Sequence, residues 1–170
     1  MEKRKFDYKT SQVIQGNFKL SKLNLMLVFQ VNCPGCFLNA IPKALKVHEY
    51  FKEDSNFKLL GLSAAFEDFE LNNIENTKKL VNDRQLTGVT KNALKKEGYD
   101  ILSFKIPFDV AFDYMDNKSK STYTFEKNHM QGTPSWILFT ENEVLGQTFG
   151  HIDENKMIEA INNGLTYLRN

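Results

Sequence analysis

Cys33 and Cys36 are the only two cysteines of the chain, and they sit three positions apart, directly after an apolar run. That run reads Leu25-Met26-Leu27-Val28-Phe29-Gln30-Val31. Short, bulky and nearly free of polar breaks, it predicts a strand buried on both faces of a parallel sheet. Phe37, Ile41, Ala44, Leu45 and Phe51 then recur near helical spacing, which predicts a helix over 37–52. Pro42 should bend it, because proline lacks a backbone donor and its ring crowds the preceding turn. The run Cys33-Pro34-Gly35-Cys36 thus falls where a buried strand passes into a helix. A bridge this short closes too small a loop to stabilise a fold much. The pair therefore reads as chemistry rather than scaffolding.

A strand-to-helix junction suits a nucleophilic thiol. Free N–H groups and the positive end of the helix dipole would surround the Cys33 sulfur and favour thiolate over thiol. Pro34 at the first helical position gives up a donor that has no helical partner there. Gly35 is read as letting the turn pack closely. Cys36, one turn on, can resolve a mixed disulfide formed by Cys33. Two other readings stand beside this one. A Cys-x-x-Cys pair can be half of a zinc site, but His48, His129 and His151 are isolated from one another in sequence, so no metal is assigned. The two can also be ordinary buried cysteines.

Beyond the pair, Phe57-Lys58-Leu59-Leu60-Gly61-Leu62-Ser63 reads as the next strand, which completes a right-handed crossover unit. Residues 70–100 are polar, with Leu71, Ile74, Lys78 and Val81 at approximate helical intervals, and predict one or two surface helices. A short strand is expected over 106–112, with Pro107 at its start or on an edge. Residues 116–129 are a helix or a loop. Ser135-Trp136-Ile137-Leu138-Phe139 is a strand, and Val144-Leu145-Gly146-Gln147-Thr148-Phe149 pairs back on it through a turn at Glu141-Asn142-Glu143. Asp153 can cap a last helix with Met157, Ile158, Ile161, Leu165 and Leu168 as its buried stripe. The first 20 residues are mixed, with a short strand near Val13 and Ile14.

At 170 residues the chain fits one domain, and its 14 phenylalanines supply ample core. A net charge of +1, from 22 basic and 21 acidic residues, argues against general capture of nucleic acid or of an anionic membrane. The one basic cluster, Lys3-Arg4-Lys5, reads as a solvated end. No stretch approaches the roughly 18 consecutive apolar residues of a membrane span. The polar residues after Lys5 do not form a secretory leader, so a cytoplasmic location is expected.

Gly132-Thr133-Pro134-Ser135 precedes the strand at 135–139. Proline there can be ordinary punctuation. Beside a redox pair, a cis bond at Pro134 would leave the Thr133 backbone free to pair with an extended substrate segment near Cys33.

On these residues the chain resembles the thioredoxin-like redoxins, near the TlpA-type and alkyl-hydroperoxide-reductase/thiol-specific-antioxidant group. The matching stretches are Val28-Phe29-Gln30-Val31-Asn32-Cys33-Pro34-Gly35-Cys36, Pro42, Gly61-Leu62-Ser63-Ala64-Ala65-Phe66-Glu67, Met130-Gln131-Gly132-Thr133-Pro134 and Phe149-Gly150-His151-Ile152-Asp153. The resemblance implies an α/β thioredoxin fold: a central mixed sheet flanked by helices, with an insertion over about 70–130 between a βαβ half and a ββα half. It implies one domain over 1–170 with an extension at 1–20, a Cys33–Cys36 dithiol/disulfide centre, and substrate contacts at Pro34, Gly35, Thr133 and a cis Pro134. It implies no cofactor. Partners would be protein or small-molecule disulfides and thiols, with a thioredoxin-reductase-type or glutathione system as reductant.

The chain also departs from the pattern. Thioredoxins carry a buried Asp six positions before the first cysteine, where this chain has Leu27, and Trp just before that cysteine, where it has Asn32. The usual proton acceptor for the second thiol is therefore missing, and Glu67 and His129 are the candidates to replace it. Peroxiredoxins place Pro and Thr where this chain has Met26 and Gln30. Thiol–disulfide exchange leads. Peroxide reduction, with Cys33 peroxidatic and Cys36 resolving, is the alternative enzyme. A peptide-binding module without turnover is the non-enzymatic one.

Overall fold

A computed structural model of the protein describes residues 3–100 and 105–170. The elements in chain order are β1 (Thr10–Gln15), β2 (Leu23–Phe29), a π-helical segment (Cys36–Ala40), α1 (Ile41–Phe51), β3 (Phe57–Ser63), α2 (Ile74–Asp83), α3 (Gly88–Lys96), β4 (Asp109–Asp113), α4 (Tyr123–Lys127), β5 (Ser135–Phe139), β6 (Val144–Phe149) and α5 (Glu154–Tyr167). The strands form one sheet in the order β1-β4-β3-β2-β5-β6.

All seven residues of β2 are buried, as an apolar run without alternation requires. β2 pairs parallel with β3 and antiparallel with β5. Its side chains alternate between two cores. Leu23, Leu25, Leu27 and Phe29 face the side packed by Phe37, Ile41, Ala44 and Val47 from the π segment and α1, and by Met157 and Ile161 from α5. Met26 and Val28 face Leu60, Leu62, Ile137 and Phe139, a layer closed by Phe6, Phe18, Phe125 and Met130. Helices therefore cover one face, and the N-terminal segment with α4 covers much of the other.

The bend expected at Pro42 takes the form of a π turn. The chain is helical from Pro34 on, and the Ile41 N–H donates to the Cys36 carbonyl, one residue wider than α-helical spacing. Widening the turn just before proline gives its ring room against the carbonyls below.

The stretch 70–130 does more than decorate the surface. It supplies β4, which pairs parallel with β3 and carries β1 antiparallel on its outer side. Two helices, α2 and α3, precede that strand. Residues 101–104 of this stretch, like residues 1–2, lie outside the described residues. The strand expected from Ile106 begins at Asp109, with Pro107 just before it, where its missing donor interrupts no ladder. α2 buries Thr77 and Leu80 rather than the apolar positions that set its period. The Thr77 and Ser63 hydroxyls pair at 2.8 Å in full burial, which lets a polar residue face the sheet. Leu168 does not continue the stripe of α5. It is 37% exposed at the C-cap, past the last turn that reaches the sheet.

Lys3-Arg4-Lys5 is a clamp rather than a free charge cluster. Lys3 donates to Glu143 and Tyr167, Arg4 donates to Asn128 and Gln147, and the Val144 N–H donates to the Arg4 carbonyl at 2.7 Å.

Candidate functional site

Cys33 and Cys36 form a disulfide, with Cα atoms 5.4 Å apart. Their surroundings are unlike. Cys33 is partly exposed, whereas Cys36 is 0% exposed and packed in the core with Phe29, Phe37 and Ala40. The Cys36 N–H donates both to the Cys33 carbonyl at 3.0 Å and to the Cys33 sulfur at 3.3 Å. A backbone donor of the first helical turn therefore points at the outer sulfur, where it stabilises negative charge. Among the described residues no group of three or more His, Cys, Asp or Glu side chains converges on a metal position.

Pro34 and Gly35 form the helix start. Gly35 is not there for close packing. Its φ and ψ are −62° and −32°, ordinary right-handed values, and an added Cβ would meet nothing within 4 Å. The close approaches lie to either side. At Gly88, φ is +58° and a Cβ would come within 2.4 Å of Asn32 Oδ1. At Gly132 a Cβ would come within 2.7 Å of the Phe149 ring.

Thr133 is brought to Cys33 across 100 residues of sequence. Its carbonyl oxygen lies 3.6 Å and its hydroxyl 3.5 Å from the Cys33 sulfur. The Thr133–Pro134 bond is cis. Ser135 Oγ donates to the Gly132 carbonyl at 2.7 Å and the Gly150 N–H to the Pro134 carbonyl at 2.8 Å, which fix the bend before β5. Among the described residues no hydrogen bond from the Thr133 N–H is present.

Three polar residues behind the pair were not singled out as functional by sequence reasoning. Gln30 and Asn72 are almost wholly buried and Asn32 nearly so, and together they link the loop after β2 to the loop after β3. Asn72 Nδ2 donates to Gln30 Oε1 at 3.1 Å, and Asn72 Oδ1 accepts from the Asn32 N–H at 2.8 Å. Asn32 Nδ2 donates to Asp68 at 2.9 Å, and its Oδ1 accepts from the Val89 N–H at 3.0 Å. The available signal was the departure itself, since polar residues stand at 30 and 32 where the resemblance puts other types. Leu27 is fully buried, so no carboxylate enters at that position. Glu67 and His129 are the candidates to replace the missing carboxylate. Both are exposed and neither hydrogen-bonds a cysteine; Glu67 meets this region through its backbone carbonyl, which accepts from Asn72.

No protein-family model and no curated protein sequence matches the chain. Solved structures do. A thiol-disulfide isomerase from Corynebacterium glutamicum superposes with a TM-score of 0.72 at 21% identity, covering 94% of each chain. A thioredoxin-like superfamily protein gives 0.69 at 24% identity, covering 95% of this chain and 96% of that one. A thiol-disulfide oxidoreductase from Bacteroides fragilis gives 0.52 at 16%, covering 97% and 99%. With the six-stranded mixed sheet and the disulfide at the head of the helix after β2, these likenesses establish that the chain has the thioredoxin fold.

Proposed function

We propose that this protein is a thiol–disulfide oxidoreductase working through Cys33 and Cys36. One observation carries the reading: a single disulfide has one sulfur at the surface, under a helix-start N–H and beside the Thr133 carbonyl and hydroxyl, and the other sealed in the core. In the reducing direction the Cys33 thiolate attacks one sulfur of a partner disulfide. A mixed disulfide forms and the partner's other sulfur leaves as thiolate. The Cys36 thiolate then attacks the Cys33 sulfur. The partner's second thiolate leaves, the Cys33–Cys36 bond is restored, and two electrons have passed to the partner. The same steps reversed oxidise a dithiol. Thr133 and Pro134, with the surface of Pro34 and Gly35, form the bed for the partner segment, whose backbone carbonyl can accept from the Thr133 N–H. The partners are protein or small-molecule disulfides, with a thioredoxin-reductase-type or glutathione system restoring the dithiol in the reducing case.

Turnover of insulin disulfides by the wild type, its loss in Cys33→Ser, and the absence of comparable turnover of hydrogen peroxide are the expected results. Faster reaction with peroxide than with disulfide would replace this reading by the peroxidase one. Function unchanged in Cys33→Ser would leave a binding module.

A further inference from the structure

We infer that Gln30 is a positioning residue: it fixes the Thr133 hydroxyl as a hydrogen-bond donor to the Cys33 sulfur and so stabilises the thiolate present when the pair is reduced. This rests on the thiol–disulfide reading and names a device of that site.

The inference follows from donors that cannot be reassigned. A backbone N–H only donates. The Phe66 N–H points at Gln30 at 3.0 Å, so the atom there must be the amide oxygen. The Asn32 N–H points at Asn72 at 2.8 Å, so that atom is Oδ1, and the Asn72 amide nitrogen is turned toward Gln30, where it donates to the same oxygen. Two donors therefore pin the Gln30 amide, and its nitrogen faces Thr133 Oγ1 at 3.4 Å. A hydroxyl has one hydrogen and accepts through its lone pairs. With Gln30 occupying a lone pair, the Thr133 hydrogen is left for its other neighbour, the Cys33 sulfur at 3.5 Å. Gln30 is 1% exposed, so water does not reach its amide to compete with the donors that pin it. A donor aimed at a sulfur favours its charged form. The thiolate would then have two fixed donors, the Thr133 hydroxyl and the Cys36 N–H.

The test is the pH dependence of Cys33 alkylation by iodoacetamide in the fully reduced protein, with insulin-disulfide turnover measured alongside. Charged side chains on the flanking elements (Glu67, Asp68, Lys43, Lys91, His129) are the same in every variant. Thr133→Val keeps the shape and removes the hydroxyl, and the alkylation midpoint is expected to rise by about one pH unit. Thr133→Ser restores the hydroxyl and should return the midpoint toward the wild-type value. Gln30→Met, of similar volume and unable to donate, frees the hydroxyl to turn away from sulfur and should raise the midpoint similarly. Placed on Thr133→Val, Gln30→Met should add little, because both act through one hydrogen. An unchanged midpoint in Thr133→Val, an unchanged midpoint in Gln30→Met, or a full Gln30→Met shift in the Thr133→Val background overturns the inference. Turnover by the wild type with unmoved midpoints defeats this inference alone. No turnover by the wild type defeats the proposed function, whatever the midpoints do.

Discussion

Cys33 meets solvent and Cys36 does not, so their thiols are expected to react at very different rates once the disulfide is opened. Mass mapping after brief alkylation near neutral pH should find label on Cys33 and almost none on Cys36. Equal labelling would mean that the helix start does not shield Cys36. The neighbouring glycines separate in the same way. Gly35→Ala puts a methyl group into open space at a helical position and is expected to stabilise the fold by up to about 1 kcal/mol. Gly88→Ala meets a left-handed φ and Asn32 Oδ1 together, and should lower stability by about 1–3 kcal/mol in thermal or urea unfolding. At this scale the sequence was legible where chemistry is local. Cys33, Cys36 and Pro134 announce themselves by type and spacing. Gln30 and Asn72 do not, since their roles arise only when loops 42 residues apart close on each other.

Among the elements, α4 is the most dependent on one side chain. It has only five residues, and the Thr124 and Phe125 N–H groups of its first turn donate to Asp113 at the end of β4. Asp113 is 0% exposed and also accepts from the Thr124 hydroxyl. Asp113→Ala is expected to cost about 1–3 kcal/mol, because it orphans buried donors. Burial pushes the Asp113 carboxyl above its usual range, against the opposing hydrogen bonds from Thr124. The folded state therefore holds this proton more tightly than the unfolded one. The stabilisation this gives is complete below about pH 3.9 and is lost as pH rises through the raised value. Asp113→Asn removes it, so the difference in melting temperature between variant and wild type should move in the variant's favour as pH rises from 3 toward 7. A difference independent of pH would show that Asp113 titrates as it does in the unfolded chain. Elements were legible in proportion to their burial. β2, β3 and β5 are mostly apolar and almost wholly buried. β1 lies at the edge with Val13 41% exposed and leaves almost no pattern, and a five-residue helix such as α4 is too short to show a period.

For the molecule as a whole, the second core depends on its first residues. Phe6 is 4% exposed and stands 4.6 Å, centroid to centroid, from Phe139 in an edge-to-face arrangement. Phe6→Ala is expected to cost about 3–5 kcal/mol, a loss urea titration can read directly. This dependence is hard to read in the sequence, because residues 3–9 are mostly polar and carry only two rings, Phe6 and the partly buried Tyr8. The strand order adds a consequence of another kind. β1 pairs with β4, so Thr10 faces Asp113, and the Arg4 carbonyl is held by Val144. Arg4 and β1 thus find their places only beside segments that follow them far along the chain. During synthesis they wait unpaired until β4 and β6 emerge. Contacts so distant in sequence also slow self-assembly, because long loops close before any pairing repays the lost entropy. Refolding from urea is expected in milliseconds to seconds, and β1 should be among the last strands to protect its amides from exchange.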